Sequence, residues 1–341
     1  MKQLFAFFIL IVTLSINLVS CGGKDEKVYE GYALGTSYYI RIQGQGEPLS
    51  QADIERLINK INSSLSTYRE NSLISRVNHG ETLTADEYFR DVYKQALKIY
   101  KETGGIFDPT VGILVNAWGF GPEQKMENIE QDSSLVDSLL QFVGFSKVKI
   151  TSGGVIKKDN PSIFIDFNSI AKGYVIDKIG ALLRSKGYYN FVVELGGEVL
   201  ASGKNILEDR VWEIAVESPL DEEKNILVVN LKNEAIATSG NYRKFRVDPI
   251  TGKKYVHTIN PLTGYPVQSN LLSASVIAPT CMEADGWATA CMAGGFERAK
   301  KWIEKHKRLK GILIFSDSTH QIRIWHSPDL NIKKIKQQNN E

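Results

Sequence analysis

The sequence lacks an excess of charge of either sign. Its 41 Lys and Arg residues are nearly balanced by 39 Asp and Glu residues, which leaves a formal net charge of +2 over 341 residues. Because a nucleic-acid partner requires a basic face, this balance argues against nucleic-acid binding. The chain is 43% hydrophobic and 23% charged, a composition typical of a globular protein with a substantial core.

Cysteine is scarce, with three residues in the whole chain: Cys21, Cys281 and Cys291. The spacing of the last two fits no metal-binding motif. They could form a disulfide in an oxidising compartment. Both lie in apolar stretches, which favours buried free thiols.

The sequence also lacks internal repeats, low-complexity segments and any apolar run long enough to span a membrane. The longest apolar stretch, residues 4–19, is shorter than the roughly 20 residues that a spanning helix needs. It follows Lys2 and precedes Leu18-Val19-Ser20-Cys21, which is the pattern of an export signal peptide. With no linker to divide the rest, we interpret the mature chain as a single catalytic unit.

The end of this signal resembles a lipobox, the motif in which a cysteine is acylated and the chain is cut before it. The resemblance implies lipidation of Cys21, and several acyl chains anchor far better than one because each buried methylene contributes about 0.8 kcal/mol. The alternative is an ordinary signal peptide with an incidental cysteine. We expect a signal peptide over residues 1–20 and a polar tether over residues 21–27. Lys24-Asp25-Glu26 in this tether could also act as a sorting signal for the cell surface. The expected location is the periplasmic face of the inner membrane, with the outer membrane or cell surface as alternatives.

Hydrophobic periodicity predicts three long helices and many strands. The helices cover residues 52–68, residues 84–100 with a Thr84–Glu87 capping box, and residues 171–187. The strand-like runs are residues 38–42, 163–166, 191–194, 212–216, 226–231, 272–278, 311–315 and 321–325. Helices interleaved with so many strands indicate an α/β or α+β enzyme fold over residues 28–330. Residues 331–341 are polar and are interpreted as a tail.

Two motifs combine glycine with groups that could contact a ligand. Leu34-Gly35-Thr36 precedes a strand, where glycine lets the backbone approach a ligand and the hydroxyl adds a polar contact, although a plain turn has the same composition. In residues 104–110, two glycines end a helix before Phe107 and Asp108. That loop could border a flat aromatic ligand, or it could be a helix end with Phe107 and Trp118 in the core.

Three further motifs carry charged or titratable groups. Residues 166–174 place Lys172 in the first turn of a predicted helix, where free N–H groups and a lysine favour a phosphate, although the spacing is not that of a Walker motif. His257 follows a predicted strand and is a candidate general base or ligand contact, or a structural histidine. Asp285 and Thr289 are four residues apart on a predicted helix, and carboxylate and hydroxyl oxygens on one face suit Mg²⁺. An aspartate near a helix start can also serve only the helix dipole.

Taken in order, these and three shorter motifs resemble the FAD:protein FMN transferase family, the ApbE-like lipoproteins. The matching segments are residues 35–36, 66–68, 105–110 with 116–121, 166–174, 196–198, 238–243, 257–264 and 284–290. The resemblance extends from Tyr32 to about Trp325. It implies an α+β fold related to T-fold proteins, with mixed sheets and packed helices. It also implies an enzyme that uses Mg²⁺ and FAD to attach FMN to a threonine hydroxyl of a partner protein, releasing AMP. The expected partners are subunits of membrane electron-transfer complexes or exported flavin-carrying reductases.

The resemblance also assigns the site residues. The positions implied to contact FAD are Leu34, Gly35, Thr36, Tyr68, Ile106, Phe107, Asp108, Asp166, Lys172, His257 and Ile259. The implied metal ligands are Asp285, Thr289 and the backbone carbonyl of Ser169. The chain departs from the common pattern at Asn168-Ser169, where many members have Gly-Gly, at Asn260 in place of a frequent Asp, and at Gly286-Trp287 in place of Ala-Leu.

These residues suggest a mechanism and leave two rival functions open. His257 is the first candidate for the base that activates the acceptor threonine, and Asp285 is the second. Tyr68 and Phe107 are candidates for contact with the flavin or adenine ring. One rival function is an FAD pyrophosphatase that admits water and yields free FMN and AMP. The other is a non-catalytic flavin-binding lipoprotein.

Overall fold

The computed structural model describes residues 25–219, 225–241, 245–247, 252 and 254–334. The predicted signal peptide, the predicted lipidation site Cys21 and the pair Tyr242-Arg243 lie outside the described residues. The strands are β1 (Glu26–Ala33), β2 (Thr36–Gln43), β3 (Val148–Ile150), β4 (Ile156–Lys158), β5 (Asn190–Leu195), β6 (Glu198–Ser202), β7 (Trp212–Glu217), β8 (Asn225–Leu231), β9 (Glu234–Gly240), β10 (Phe245–Val247), β11 (Lys254–Val256), β12 (Leu271–Ala278), β13 (Lys310–Ser316), β14 (Ile322–His326) and β15 (Ile332–Lys334). The helices are α1 (Gln51–Leu65), α2 (Leu73–Asn78), α3 (Glu87–Glu102), α4 (Gly112–Ala117), α5 (Ser133–Leu140), α6 (Ala171–Ser185), α7 (Cys281–Gly294) and α8 (Phe296–Lys305).

A large antiparallel sheet organises the protein, and its strand order is β1-β2-β5-β6-β9-β12-β13-β14. Successive side chains of a strand point to opposite faces of the sheet, and both faces of this sheet carry buried side chains. In β5, Val193 packs in the main core with the helices, while its neighbour Val192 packs in a second core. That second core lies against the small sheet β15-β8-β7. The α+β architecture predicted from the sequence is confirmed.

Helix α7 lies at the centre of the main core, against α6, β9 and β12. Close packing here depends on glycine. A Cβ on Gly173 of α6 would lie 2.3 Å from the carbonyl oxygen of Cys281, and one on Gly286 would lie 2.5 Å from Ile99 Cδ1. Trp287 is fully buried against Trp302 and His306. The Gly286-Trp287 pair is therefore explained by the local packing. Cys281 and Cys291 on the same helix are buried free thiols, as predicted.

Two secondary-structure predictions are wrong. The N-cap of α3 is Asp86, whose side chain accepts from the N–H of Phe89, while Thr84 instead forms a β-bridge with Val155. Residues 163–166 form no strand. The side-chain amide of Asn78 bonds both the N–H and the C=O of Ile165 and so takes the place of a neighbouring strand.

At both ends of the described chain, regular structure extends beyond residues 28–330. Strand β1 begins at Glu26, within the predicted tether, and pairs with β2. Ile332–Lys334, placed in the predicted polar tail, instead form β15 and pair with β8, because Ile332 packs against the second core. Within the described part of the chain, no helix has the length and apolar character to cross a membrane.

Candidate active site

Three oxygen-bearing groups meet where the start of α6 crosses α7. Asp285 and Thr289 lie one turn apart on α7, and the Thr289 hydroxyl is 3.3 Å from the carbonyl oxygen of Ser169. The Asp285 carboxylate accepts a hydrogen bond from the N–H of Gly173 in the first turn of α6, at 3.0 Å. The structure thus brings together the three residues predicted to bind a metal.

The oxygen donors of this cluster are of the chemical type that Mg²⁺ prefers. A carboxylate, a hydroxyl and a carbonyl are hard oxygen donors, and Mg²⁺ in proteins is held by one or two carboxylates with substrate phosphates and water completing its shell. Among the described residues, no group of three or more His, Cys, Asp or Glu side chains could hold a metal ion. A magnesium ion at this cluster would therefore depend on Asp285 and on neutral oxygens.

An ion pair lies beside the oxygen cluster, with Glu198 buried and the Lys172 side chain 29% exposed. The ammonium of Lys172 is 2.5 Å from the carboxylate of Glu198, the first residue of β6. Burial and then the Glu198 charge raise the pKa of Asp285 above its usual value, against the opposing effect of Lys172. Burial lowers the pKa of Lys172, but the Glu198 and Asp285 charges outweigh it, so that the pKa is raised. Two carboxyl groups therefore lie beside one ammonium, and a cation bound at Asp285 would favour its ionised form.

Glu198 is a site residue to which sequence reasoning assigned no role. It appeared only as the last residue of the Gly196-Gly197-Glu198 motif. The signal that could have identified it is the strand itself, since every residue of β6 is buried and Glu198 is its one charged residue. A charge at the start of a fully buried strand needs a partner, and Lys172 provides it.

Two tight turns at the same end of the large sheet flank this ion pair. Leu34 and Gly35 join β1 to β2 with φ values of +50° and +77°. Gly196 and Gly197 join β5 to β6 with φ values of +62° and +99°. A Cβ on Gly196 would lie 2.7 Å from the methyl group of Thr36, so the predicted ligand-binding turn contacts the turn that precedes Glu198. Leu34 is a branched residue in the left-handed region, a conformation that carries strain.

Tyr68 lies at the open edge of the site, with a phenol that is 63% exposed. Burial of part of the side chain, followed by the nearby charge of Asp166, raises its pKa. Asn168 ties the two segments together, because its N–H donates to Asp166 and its side-chain amide donates to Thr67. Tyr68, in the segment after α1, is therefore close to Asp166, on the turn that continues into Ser169.

The structure supports the interpretation of residues 104–110 as a helix end whose Phe107 lies in the core. The Phe107 ring is 2% exposed and packs in the main core, so it has no free face for a flavin or adenine ring, and Ile106 is also buried. The Asp108 carboxylate is also turned inward, where it accepts from the N–H and hydroxyl of Thr110 and from the N–H of Phe145. Burial raises the pKa of Asp108 to about 6. A ligand contact by this loop stays a prediction and would involve its backbone.

His257 follows β11, as predicted, and its ring faces Phe120 with centroids 6.5 Å apart. Its neighbour Thr258 donates to Asn241, just beyond the end of β9. Within β9, the hydroxyl of Ser239 lies 3.5 Å from that of Thr289. The His257 segment is therefore attached to the sheet end that holds the oxygen cluster. Ile259 is buried in a small separate core with Trp118.

Comparisons with known proteins identify the family to which the chain is similar. The profile of the ApbE family matches residues 34–313. A Haemophilus influenzae protein named FAD:protein FMN transferase is 33% identical over 328 residues, covering 91% of this chain and 93% of that protein. A Vibrio cholerae protein of the same name is 36% identical over 300 residues, covering 85% of this chain and 88% of that protein. The solved structure of a flavin transferase ApbE from Vibrio cholerae has a TM-score of 0.79 at 32% identity, covering 90% of this chain and 98% of that one.

Proposed function

The chain belongs to the ApbE family, and on this premise we propose that it is an FAD:protein FMN transferase, an enzyme that moves the FMN half of FAD onto a protein. Relatives that match over nearly their whole length carry that name. The observation that carries the proposal for this chain is the meeting of the Ser169 carbonyl, Asp285 and Thr289 beside the Lys172–Glu198 pair.

The proposed acceptor is a threonine hydroxyl of a partner protein. Its oxygen forms a bond to the FMN-side phosphorus of FAD, the pyrophosphate P–O bond breaks, and AMP leaves with the bond electrons. The threonine proton passes to a base on the enzyme. Catalysis of such a transfer is mainly positioning and charge stabilisation, since the phosphates repel the attacking oxygen and the leaving group gains charge.

The positive charge that this reaction needs comes partly from the chain itself. Lys172 lies in the first turn of α6, where free N–H groups also favour an anion. Because Glu198 already pairs with Lys172, a further cation beside Asp285 would supply the rest of the positive charge. Mg²⁺ held by Asp285, Thr289 and the Ser169 carbonyl would neutralise pyrophosphate charge.

The remaining roles follow from position. His257, at the end of β11, is the proposed base that takes the threonine proton. Tyr68 offers an exposed aromatic face at the edge of the site for the flavin or adenine ring. The Leu34-Gly35 turn brings backbone groups to the same rim, next to Gly196.

The proposed location is the exported side of a membrane, with Cys21 as the lipidated residue. The support is the sequence of the signal: a charged start, an apolar stretch and a cysteine after Leu-Val-Ser. The periplasmic face of the inner membrane suits a partner in a membrane electron-transfer complex or an exported reductase.

Release of AMP separates this function from its rivals. The soluble domain would be mixed with FAD and Mg²⁺, with and without a flavoprotein domain that carries a candidate threonine, and nucleotides would be quantified. AMP that appears only with the acceptor supports the transferase. AMP released equally without acceptor indicates a pyrophosphatase, and bound FAD without AMP indicates a binding protein.

A further inference from the structure

The large sheet and α6 both run between the active site and the opposite end of the molecule. At the active-site end lie the Leu34-Gly35 turn, Glu198 and the start of α6. The opposite end is formed by three loops, which we call the anchor-side loops: residues 44–49, 186–190 and 203–210. They contact one another, since the N–H of Glu47 donates to the carbonyl of Lys186 and the N–H of Ile206 donates to the side chain of Gln43.

The described chain begins among these loops. The carbonyl of Asp25 accepts from the N–H of Gly44, and Glu26 pairs with Gln43 across β1 and β2. Three residues, 22–24, separate Asp25 from Cys21. Because an extended chain spans at most about 3.6 Å per residue, Cys21 and Asp25 are no more than about 14 Å apart.

The active site lies farther than this from the anchor-side loops. Helix α6 has 15 residues, from Ala171 beside the oxygen cluster to Ser185 beside the anchor-side loops, which at 1.5 Å per residue is about 22 Å. Strand β1 gives a similar figure, since its eight residues span about 25 Å.

The anchor-side loops have the chemistry of a surface that meets lipid headgroups. Tyr189 is 63% exposed and Leu207 is 39% exposed, at the tips of two of the loops. Aromatic side chains with one polar end are favoured at membrane interfaces. The charged groups here form ion pairs with each other: Lys186 with Glu47, Lys204 with Asp209, and Arg210 with Glu208. The exposed face of β1 also carries Val28 and Tyr32, but with the carboxylates of Glu26 and Glu30 among them.

We propose that the anchor-side loops rest on the lipid bilayer, with Tyr189 and Leu207 at the headgroup level, so that the active site faces away from the membrane. The inference rests on the proposed lipidation of Cys21. It restricts the acceptor: the target threonine must either lie about 20 Å or more from the membrane surface or belong to a soluble domain. It also predicts that contact with lipid is insensitive to salt, because the charges of the loops are balanced.

The test uses the full lipidated protein in phosphatidylcholine vesicles. Each variant carries one added surface cysteine, which is labelled with an environment-sensitive fluorophore. Cys281 and Cys291 are fully buried, so a surface cysteine can be labelled selectively. The variants Tyr189→Cys and Leu207→Cys are matched by Tyr32→Cys on β1, just before the Leu34-Gly35 turn, and by Leu262→Cys on the segment that follows His257. Both controls replace exposed residues of the same types. Nitroxide-bearing lipids then report which labels approach the bilayer.

We expect strong quenching at positions 189 and 207, unchanged in high salt, and little quenching at positions 32 and 262. Quenching at Tyr32→Cys that equals or exceeds that at Tyr189→Cys would show that the molecule lies on its β1 edge and would overturn the proposal. Quenching at Leu262→Cys would do the same by placing the active site at the membrane. A chain that transfers FMN but does not float with vesicles would overturn the anchor and the orientation together, leaving the transferase function intact.

Discussion

The carboxylate of Asp285 on α7 accepts a hydrogen bond from the backbone N–H of Gly173 on α6, at 3.0 Å. This bond lies at the closest approach of the two helices, where a side chain on Gly173 would meet the carbonyl of Cys281. The helix crossing and the orientation of the proposed metal ligand therefore depend on the same glycine.

Gly173→Ala is expected to destabilise the protein and to lower transfer activity. Alanine in a helix is favoured over glycine by up to about 1 kcal/mol, but overpacking at a rigid contact costs about 1–3 kcal/mol. Urea unfolding gives the stability and AMP release gives the activity. The control is Gly153→Ala, whose Cβ would have no neighbour closer than 3.9 Å. Equal stability of the two variants would refute the account of the crossing.

Glu198→Gln is expected to leave Lys172, whose side chain is 29% exposed, without its 2.5 Å ionic partner. Removing one member of a fully buried pair typically costs about 3–5 kcal/mol, and replacing both members by neutral groups costs much less. The partial exposure of Lys172 should make the loss in the single variant smaller than this. The double variant Glu198→Gln with Lys172→Met should therefore recover much of the stability lost in the single variant. Stabilities that simply add would show that the two side chains act independently. Transfer should be low in both variants, because each disturbs the charge at the site.

The sequence was most informative where the chemistry lies within one element. Asp285 and Thr289 were expected to share a helix face from their spacing alone, and they do so on α7. It was least informative where distant segments meet. Glu198 and Lys172 are 26 residues apart on a strand and a helix, and no local pattern records their contact.

Two errors have a physical explanation in the limits of periodicity. Residues 163–166 alternate as a strand does because Ile163 and Ile165 are buried, and burial has the same pattern whether the backbone bonds a strand or the Asn78 side chain. Phe107 follows a glycine pair, a context compatible with an exposed ligand contact, yet its ring lies in the core. Composition cannot separate these cases, because they differ only in tertiary packing.

The pH dependence of stability should reveal the buried carboxyl of Asp108. Its folded-state pKa of about 6 lies above the ordinary value of 3.8, so the folded protein binds this proton more tightly than the unfolded chain. The resulting stabilisation is complete below pH 4 and is lost as the pH rises through 6, a total of about 3 kcal/mol. Urea unfolding of the wild type and of Asp108→Asn at pH 4 to 7 isolates this effect, since other groups cancel in the difference. A difference that is constant with pH would contradict it.

His257→Ala is expected to slow FMN transfer on the order of a hundredfold and to remove the acidic limb of the pH–rate profile that a histidine base would produce. The matched control is His320→Ala, at an exposed turn before β14. A slow variant that keeps the wild-type pH profile would give His257 a positioning role instead. A variant with normal rate would remove it from the mechanism.

The most direct test of the central claim is the intact mass of an acceptor flavoprotein domain after incubation with FAD. Wild-type enzyme with Mg²⁺ should add the mass of one FMN to the acceptor, and the addition should disappear when the metal is chelated. Asp285→Asn should reduce the rate on the order of a hundredfold or more, while Asp329→Asn, an exposed aspartate beyond β14, should transfer normally. An acceptor that stays unmodified while FAD is consumed, or full transfer by Asp285→Asn, would contradict the account.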